Sequence, residues 1–333
     1  SSRIVAVTGS NVRSSLFTAL VLFAAASCIT VPDRVPIGGA ADASTDGVGG
    51  DARRRRIVLT PTSPLTGALG PTQIAIRLTG DADLAANLAS DGSDLLVANG
   101  SGTLSHEIEH IDSAAGDLIL WVRLEEFGAS GESLDLYYGG TRETANQPSL
   151  VFGDAAMVWH FGDFEPVGGE VKDSAPNGVT GSSTNGLIAT VGAVGDGLDL
   201  SAATLTTALD PPIYPQTDDY TLSFWVQTGQ TQGSMMHIGS AQEQNPTTDN
   251  VFGAQLSYNN GVGSWVFTTT TPGQAALSPT IPSLTTGALL HVSIHVRAAA
   301  SEIQARSNGI LAATNNHGSG GNLIGDPPLR FAE

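Results

Sequence analysis

From Arg53 onward, apolar residues fall in short alternating runs closed by Gly, Asp, Ser or Pro. Ile57-Val-Leu59, Gln73-Ile-Ala-Ile-Arg77, Asp94-Leu-Leu-Val97, His106-Glu-Ile-Glu-His110, Leu118-Ile-Leu-Trp-Val-Arg-Leu124 and Leu134-Asp-Leu-Tyr-Tyr138 are the clearest. Alternation over so few residues predicts half-buried strands, and their density over 53–148 predicts a small β-sandwich. The same grammar continues beyond Ser149. Leu198-Asp-Leu200, Tyr220 to Gln227, Ser234 to Ile238, Ala254 to Tyr258, Ser264 to Thr268, Leu290 to Val296 and Glu302 to Arg306 are separated by Gly- or Asn-rich turns. Asn308-Gly309 is the strongest hairpin signal, because both residues tolerate positive φ. The pattern predicts an all-β chain of two β-sandwich domains, 53–148 and 149–333.

Two segments ahead of Arg53 break this pattern. Arg3 and Arg13 flank a weakly basic start, Leu16 to Ala26 is apolar but too short to span a bilayer, and Ala25-Ala26-Ser27 puts small residues before Cys28. Residues 1–28 therefore read as an export signal ending at a lipidation cysteine, although Ala25 stands where a lipoprotein signal usually has Leu. Lipid on Cys28 would supply the membrane anchor, and Ile29 after it favours the outer membrane or cell surface of a bacterium. Residues 29–52, rich in Pro and Gly, read as a flexible tether. No disulfide within the chain can form from a single cysteine.

Composition narrows the function. In 333 residues, 40 glycines and one lysine favour short strands and tight turns over long helices, and 41% hydrophobic residues suffice for packed cores. A formal net charge of −18 excludes general binding to nucleic acid, which needs a concentrated basic surface. Arg53 to Arg56 is the local exception and reads as the charged end of the tether leading into the first strand.

Two resemblances rest on particular residues. Val158-Trp-His-Phe161, Asp173-Ser-Ala-Pro-Asn-Gly178, Tyr220 to Val226, His291-Val-Ser-Ile-His-Val296 and Ser307-Asn-Gly-Ile-Leu311 resemble, in that order, a laminin-G-like, concanavalin-A-like jelly roll of bacterial surface proteins. Arg54-Arg-Arg-Ile-Val58, Ile76 to Asp81, Asp91-Gly-Ser-Asp94, Ser105 to Glu109, Trp121-Val-Arg123 and Leu136-Tyr-Tyr-Gly139 resemble an uncharacterised bacterial β-domain often found ahead of such modules. The resemblance implies a surface location and binding rather than chemistry. It also implies calcium at the sandwich rim, for which Asp163, Asp173, Asp196 and Asp199 are candidates from Gly-rich turns. A closing strand normally follows the point where this sequence stops, at Phe331-Ala-Glu333, so the second domain is expected to be truncated.

Other motifs bear on chemistry. His106-Glu-Ile-Glu-His110 matches the zinc-protease string H-E-x-x-H, which needs both imidazoles on one helical face. On the strand predicted here the two histidines share a face but stand about 13 Å apart, too far for one zinc. Glycoside hydrolysis would need paired carboxylates across a cleft, and no E-x-D-x-x-E string occurs in 149–333. Along Tyr220 to Gln227, Leu222, Phe224 and Val226 face one way while Ser223, Trp225 and Gln227 face the other. Trp225 is therefore the candidate ligand-binding aromatic, whereas Trp121, Trp159 and Trp265 read as core. The expectation is a non-enzymatic, lipid-anchored surface protein that binds carbohydrate or a protein partner through its second domain. A secreted degradative enzyme, glycoside hydrolase before zinc protease, and a structural adhesion spacer are the alternatives.

Overall fold

The computed structural model of the chain describes residues 3–11, 53–61, 65–140, 146–162, 164–165, 169–183, 187–200, 205–207, 220–227, 232–238, 253–259, 262–268, 280–282, 288–297, 302–316 and 329–331. Two compact units divide it, residues 19–151 and residues 152–333 together with 1–18. Among the described residues no helix is long and apolar enough to cross a membrane.

The chain opens with β1 (Arg3–Asn11), which belongs to the second unit. The first unit contains β2 (Arg53–Leu59), β3 (Thr72–Leu78), helix α1 (Ala82–Asn87), β4 (Leu96–Asn99), β5 (Gly102–Leu104), β6 (His106–Asp112), β7 (Asp117–Leu124), β8 (Glu132–Tyr138) and the short α2 (Pro148–Val151). Its strands make two antiparallel sheets, in the orders β2-β8-β4-β5 and β3-β7-β6. Alternate residues of each sheet meet in one core: Ile57 and Leu59, Ile76 and Leu78, Leu118, Leu120, Val122 and Leu124, and Leu134, Leu136 and Tyr138. Period-two burial of this kind is what the apolar alternation predicts.

Asp81 caps α1 by accepting from the Asp83 and Leu84 amides, and Leu84 plugs the sandwich. Gly116 lies against this cap with φ of 73°, where a Cβ would collide with the Asp81 carbonyl. Arg53 to Arg56 lie within β2 itself rather than in a linker. Arg54 and Arg56 share Asp135 at 2.7 and 3.1 Å, while Arg53 and Arg55 pair with Asp83 and Asp81. Burial acts to raise the Asp135 carboxyl, but the two guanidiniums outweigh it and hold it below its ordinary range. The basic run is consumed in structure.

The second unit is all-β and jelly-roll-like. Its remaining strands are β9 (Ala155–Trp159), β10 (Phe164–Glu165), β11 (Glu170–Val171), β12 (Gly181–Ser182), β13 (Ile188–Val191), β14 (Asp196–Asp199), β15 (Leu205–Thr207) and β16 (Tyr220–Gln227). They continue as β17 (Gln232–Ile238), β18 (Gly253–Asn259), β19 (Val262–Thr268), β20 (Thr280–Pro282), β21 (Leu289–Arg297), β22 (Glu302–Ser307), β23 (Ile310–Asn316) and β24 (Leu329–Phe331). One sheet runs β13-β14-β1-β16-β21-β22-β23, with β9 also on β1, and the other runs β10-β11-β12-β15-β24-β17-β18-β19-β20. Leu222, Phe224, Val226, Val292, Ile294 and Ala305 form the buried face of the first sheet. Asn308 and Gly309, at φ of 48° and 78°, close the two-residue hairpin between β22 and β23.

The start of the chain differs from its reading as a signal n-region. Arg3–Asn11 pairs with β16 on one side and with β14 and β9 on the other. Ile4, Val5, Val7 and Thr8 give this stretch the β-branched composition of a strand. The apolar run Leu16 to Ala26, Cys28 and the tether lie outside the described residues.

Candidate binding face of the second domain

The register of β16, β21 and β22 builds the site. Trp225 stands opposite His291, Ser223 opposite Ser293, and Thr221 opposite His295; across the next ladder Ser293 meets Arg306 and His295 meets Gln304. All lie on the face opposite Leu222, Phe224 and Val226, since successive strand residues alternate sides. The outcome is a polar grid on the back of an apolar core.

Its floor is buried and its border partly exposed. Ser223, His291 and Ser293 keep 6%, 5% and 6% exposure, while Thr221, Trp225, Gln227, His295, Gln304 and Arg306 are half-buried. Buried polar atoms need partners, and several of those here find one another. Ser223 Oγ shares a hydrogen bond with His291 Nε2 at 2.8 Å, and Thr221 Oγ1 does so with His295 Nδ1 at 3.0 Å. Ser293 Oγ reaches His295 Nε2 at 3.2 Å, and the Trp225 and His291 ring centroids are 5.2 Å apart. The hairpin holds one end in place: Asn308 Oδ1 accepts from the His291 amide at 3.0 Å, and the Asn308 amide donates to the His291 carbonyl at 2.8 Å.

Burial pushes His291 down from 6.5 to about 4, with His295 nearby adding to the effect. His295 also falls to about 4, through burial and then the charge of Arg306. Both imidazoles are neutral at physiological pH. The Ser223–His291 pair has the composition of a nucleophile and base, but a base poised near 4 is a poor acceptor for a serine proton.

The described calcium candidates, Asp173, Asp196 and Asp199, form no metal-suited cluster. Asp173 Oδ1 accepts the Val158 and Ala175 amides at 2.7 and 2.9 Å, and its Oδ2 accepts the Val179 amide at 2.8 Å. Burial outweighs these donors and raises its carboxyl above the usual range. Asp173 thus ties β9 to its loop, beside buried Trp159, whose Nε1 donates to the Val179 carbonyl at 2.8 Å. Asp196 and Asp199 sit on β14 opposite Val191 and Ile188, and Asp163 lies outside the described residues. No group of three or more His, Cys, Asp or Glu suited to a metal occurs among the described residues.

The H-E-x-x-H string lies on β6, as its surroundings predict, but its geometry corrects one expectation. A register shift between Ile108 and His110 places His106 opposite Val122 and His110 opposite Ile119. Val122 and Ile119 point to opposite faces of β7, so the two histidines do not share a face. His106 is buried toward the core and His110 is exposed. Trp121 is buried, as read, but on the side of its sheet away from the main core, where Nε1 donates to Glu109. Nothing is described of the Trp265 side chain.

Comparison with protein-family models and with curated proteins finds no match. Among solved structures, the binding domain of Paraclostridial Mosquitocidal Protein 1 is similar at 14% identity and TM-score 0.39, over 49% of this chain and 42% of that one. Domains LG4-5 of the mouse laminin alpha1 chain are similar at 13% identity and TM-score 0.30, over 90% of this chain and 86% of that one. Likenesses this loose leave function to be argued from the residues themselves.

Proposed function

We propose that this chain is a non-enzymatic bacterial surface protein whose laminin-G-like second domain binds carbohydrate on the grid around Trp225. One observation carries the reading. A half-buried indole stands beside a hydrogen-bonded floor of two hydroxyls and an imidazole, bordered by Gln227, Gln304 and Arg306. An aromatic surface flanked by preset donors and acceptors suits a sugar, which offers an apolar ring face and a rim of hydroxyls. Neutral histidines locked to serine and threonine are fixed recognition groups rather than proton shuttles.

Lipid on Cys28 and a cell-envelope location belong to the same proposal and rest on the apolar run Leu16 to Ala26 and the small residues before Cys28. Calcium is not required at the grid, whose polar groups on Thr221, Ser223, His291, Ser293 and His295 are nitrogens and hydroxyls. A glycan array probed with the full chain, with Trp225→Ala alongside, tests the binding function. Selective signals that vanish in the variant support it. A blank array for a folded protein would shift the function to protein adhesion or to a spacer.

A further inference from the structure

The charge on this face is out of keeping with the chain. The molecule carries −18, yet at neutral pH the grid holds Arg297 and Arg306 against one carboxylate, Glu302. Arg297 takes that carboxylate, Nη1 to Oε1 at 3.4 Å, and Gln304 donates to the same oxygen at 2.7 Å. Arg306 is left with neutral partners among the described residues: its Nη2 reaches Gln304 Oε1 at 3.3 Å and its Nη1 the Gly309 carbonyl at 3.5 Å. Both bonds are long, and a guanidinium has five donors. A half-buried cation bonded only to neutral oxygens retains most of its capacity for an anion.

Its position is as telling as its charge. Arg306 lies in the row of Ser223 and Ser293, one row along and two strands across from Trp225. Two strand spacings of about 10 Å and one two-residue row of about 7 Å put their backbones roughly 12 Å apart, a span that two linked sugar rings and the long arginine side chain together cover. A ring stacked on Trp225 would place the substituent of its neighbour near the guanidinium fork. We infer that the ligand is an acidic oligosaccharide carrying a hexuronate, whose planar carboxylate is received by Arg306 while an adjoining ring lies on Trp225. This rests on the carbohydrate-binding function proposed above and names its substrate class.

Titration calorimetry of the full chain with a short oligogalacturonide and with its carboxyl-reduced form tests the inference. The acidic sugar should bind at least about tenfold more tightly, and the preference should shrink as salt rises. Arg306→Gln should bring the ratio of the two affinities to about one, Arg306→Lys should keep part of it, and Trp225→Ala should weaken both sugars while preserving the ratio. Thermal unfolding of each variant guards against misfolding. Equal binding of the two sugars by the native chain, or an unchanged ratio in a folded Arg306→Gln protein, overturns the acidic-sugar assignment and leaves the binding face standing. Failure to bind either sugar overturns the hexuronate assignment, and the glycan array then decides whether the carbohydrate-binding function falls with it.

Discussion

Trp225 and its neighbour His291 concentrate the chemistry at the scale of single residues. If Trp225 supplies a platform on the polar side of its sheet, Trp225→Ala should weaken sugar binding about tenfold or more while leaving the domain folded, because the core beneath is made by Leu222, Phe224 and Val226. Calorimetry paired with a thermal melt checks this. The histidines make a second prediction. In the folded protein both titrate at about 4 against an ordinary 6.5, so the unfolded chain takes up protons first as pH falls. Stability is fully present above about pH 6.5 and is lost progressively toward pH 4. At roughly 1.4 kcal/mol per unit, the cost is of the order of 3 kcal/mol for His291, and less for the more exposed His295. Urea unfolding between pH 5 and 7 should show this slope, and His291→Gln should flatten it. A native protein equally stable across that range would contradict the neutral, buried assignment.

Strands and turns explain how far the sequence could be read. Alternation located β2, β3 and β8, each of which buries one face, the other short runs located β6, β7, β16, β21 and β22, and Asn308-Gly309 marked its hairpin because the turn needs two positive φ angles. The shift after Ile108 left no trace in spacing, since a bulge is a property of two paired strands, and it separated His106 from His110. The grid was hidden for the same reason. Periodicity placed Trp225 on the polar side, but only register brings Ser223 to His291 and Arg306 to Ser293 across three strands. Asp173, read as a turn acid or calcium ligand, accepts the Val158 amide of β9 and the Ala175 and Val179 amides of its own loop, and so ties that loop to the strand. Asp173→Ala should therefore cost about 2–4 kcal/mol in urea unfolding, as buried donors lose their acceptor. A loss below about half a kcal/mol would show that the clamp is dispensable. Gly116→Ala, forced against the Asp81 carbonyl at positive φ, should likewise destabilise the first domain.

Across the whole molecule the two units use charge differently. In the first, every arginine of the Arg53 to Arg56 run meets an aspartate, so the basic run adds little net field. In the second, Arg306 stands among neutral groups on the same sheet face as Trp225, on a chain that is otherwise acidic. The contrast directs attention to the second unit for recognition and leaves the first as a packed β-domain. The most direct test is calorimetric titration of oligosaccharide into the full native chain and into Trp225→Ala, each with its thermal midpoint. Saturable binding by the native chain that falls at least about tenfold in an equally stable variant is the predicted result. Undiminished binding by the variant would move the site away from this face, and collapse of the variant's fold would make Trp225 a core residue instead.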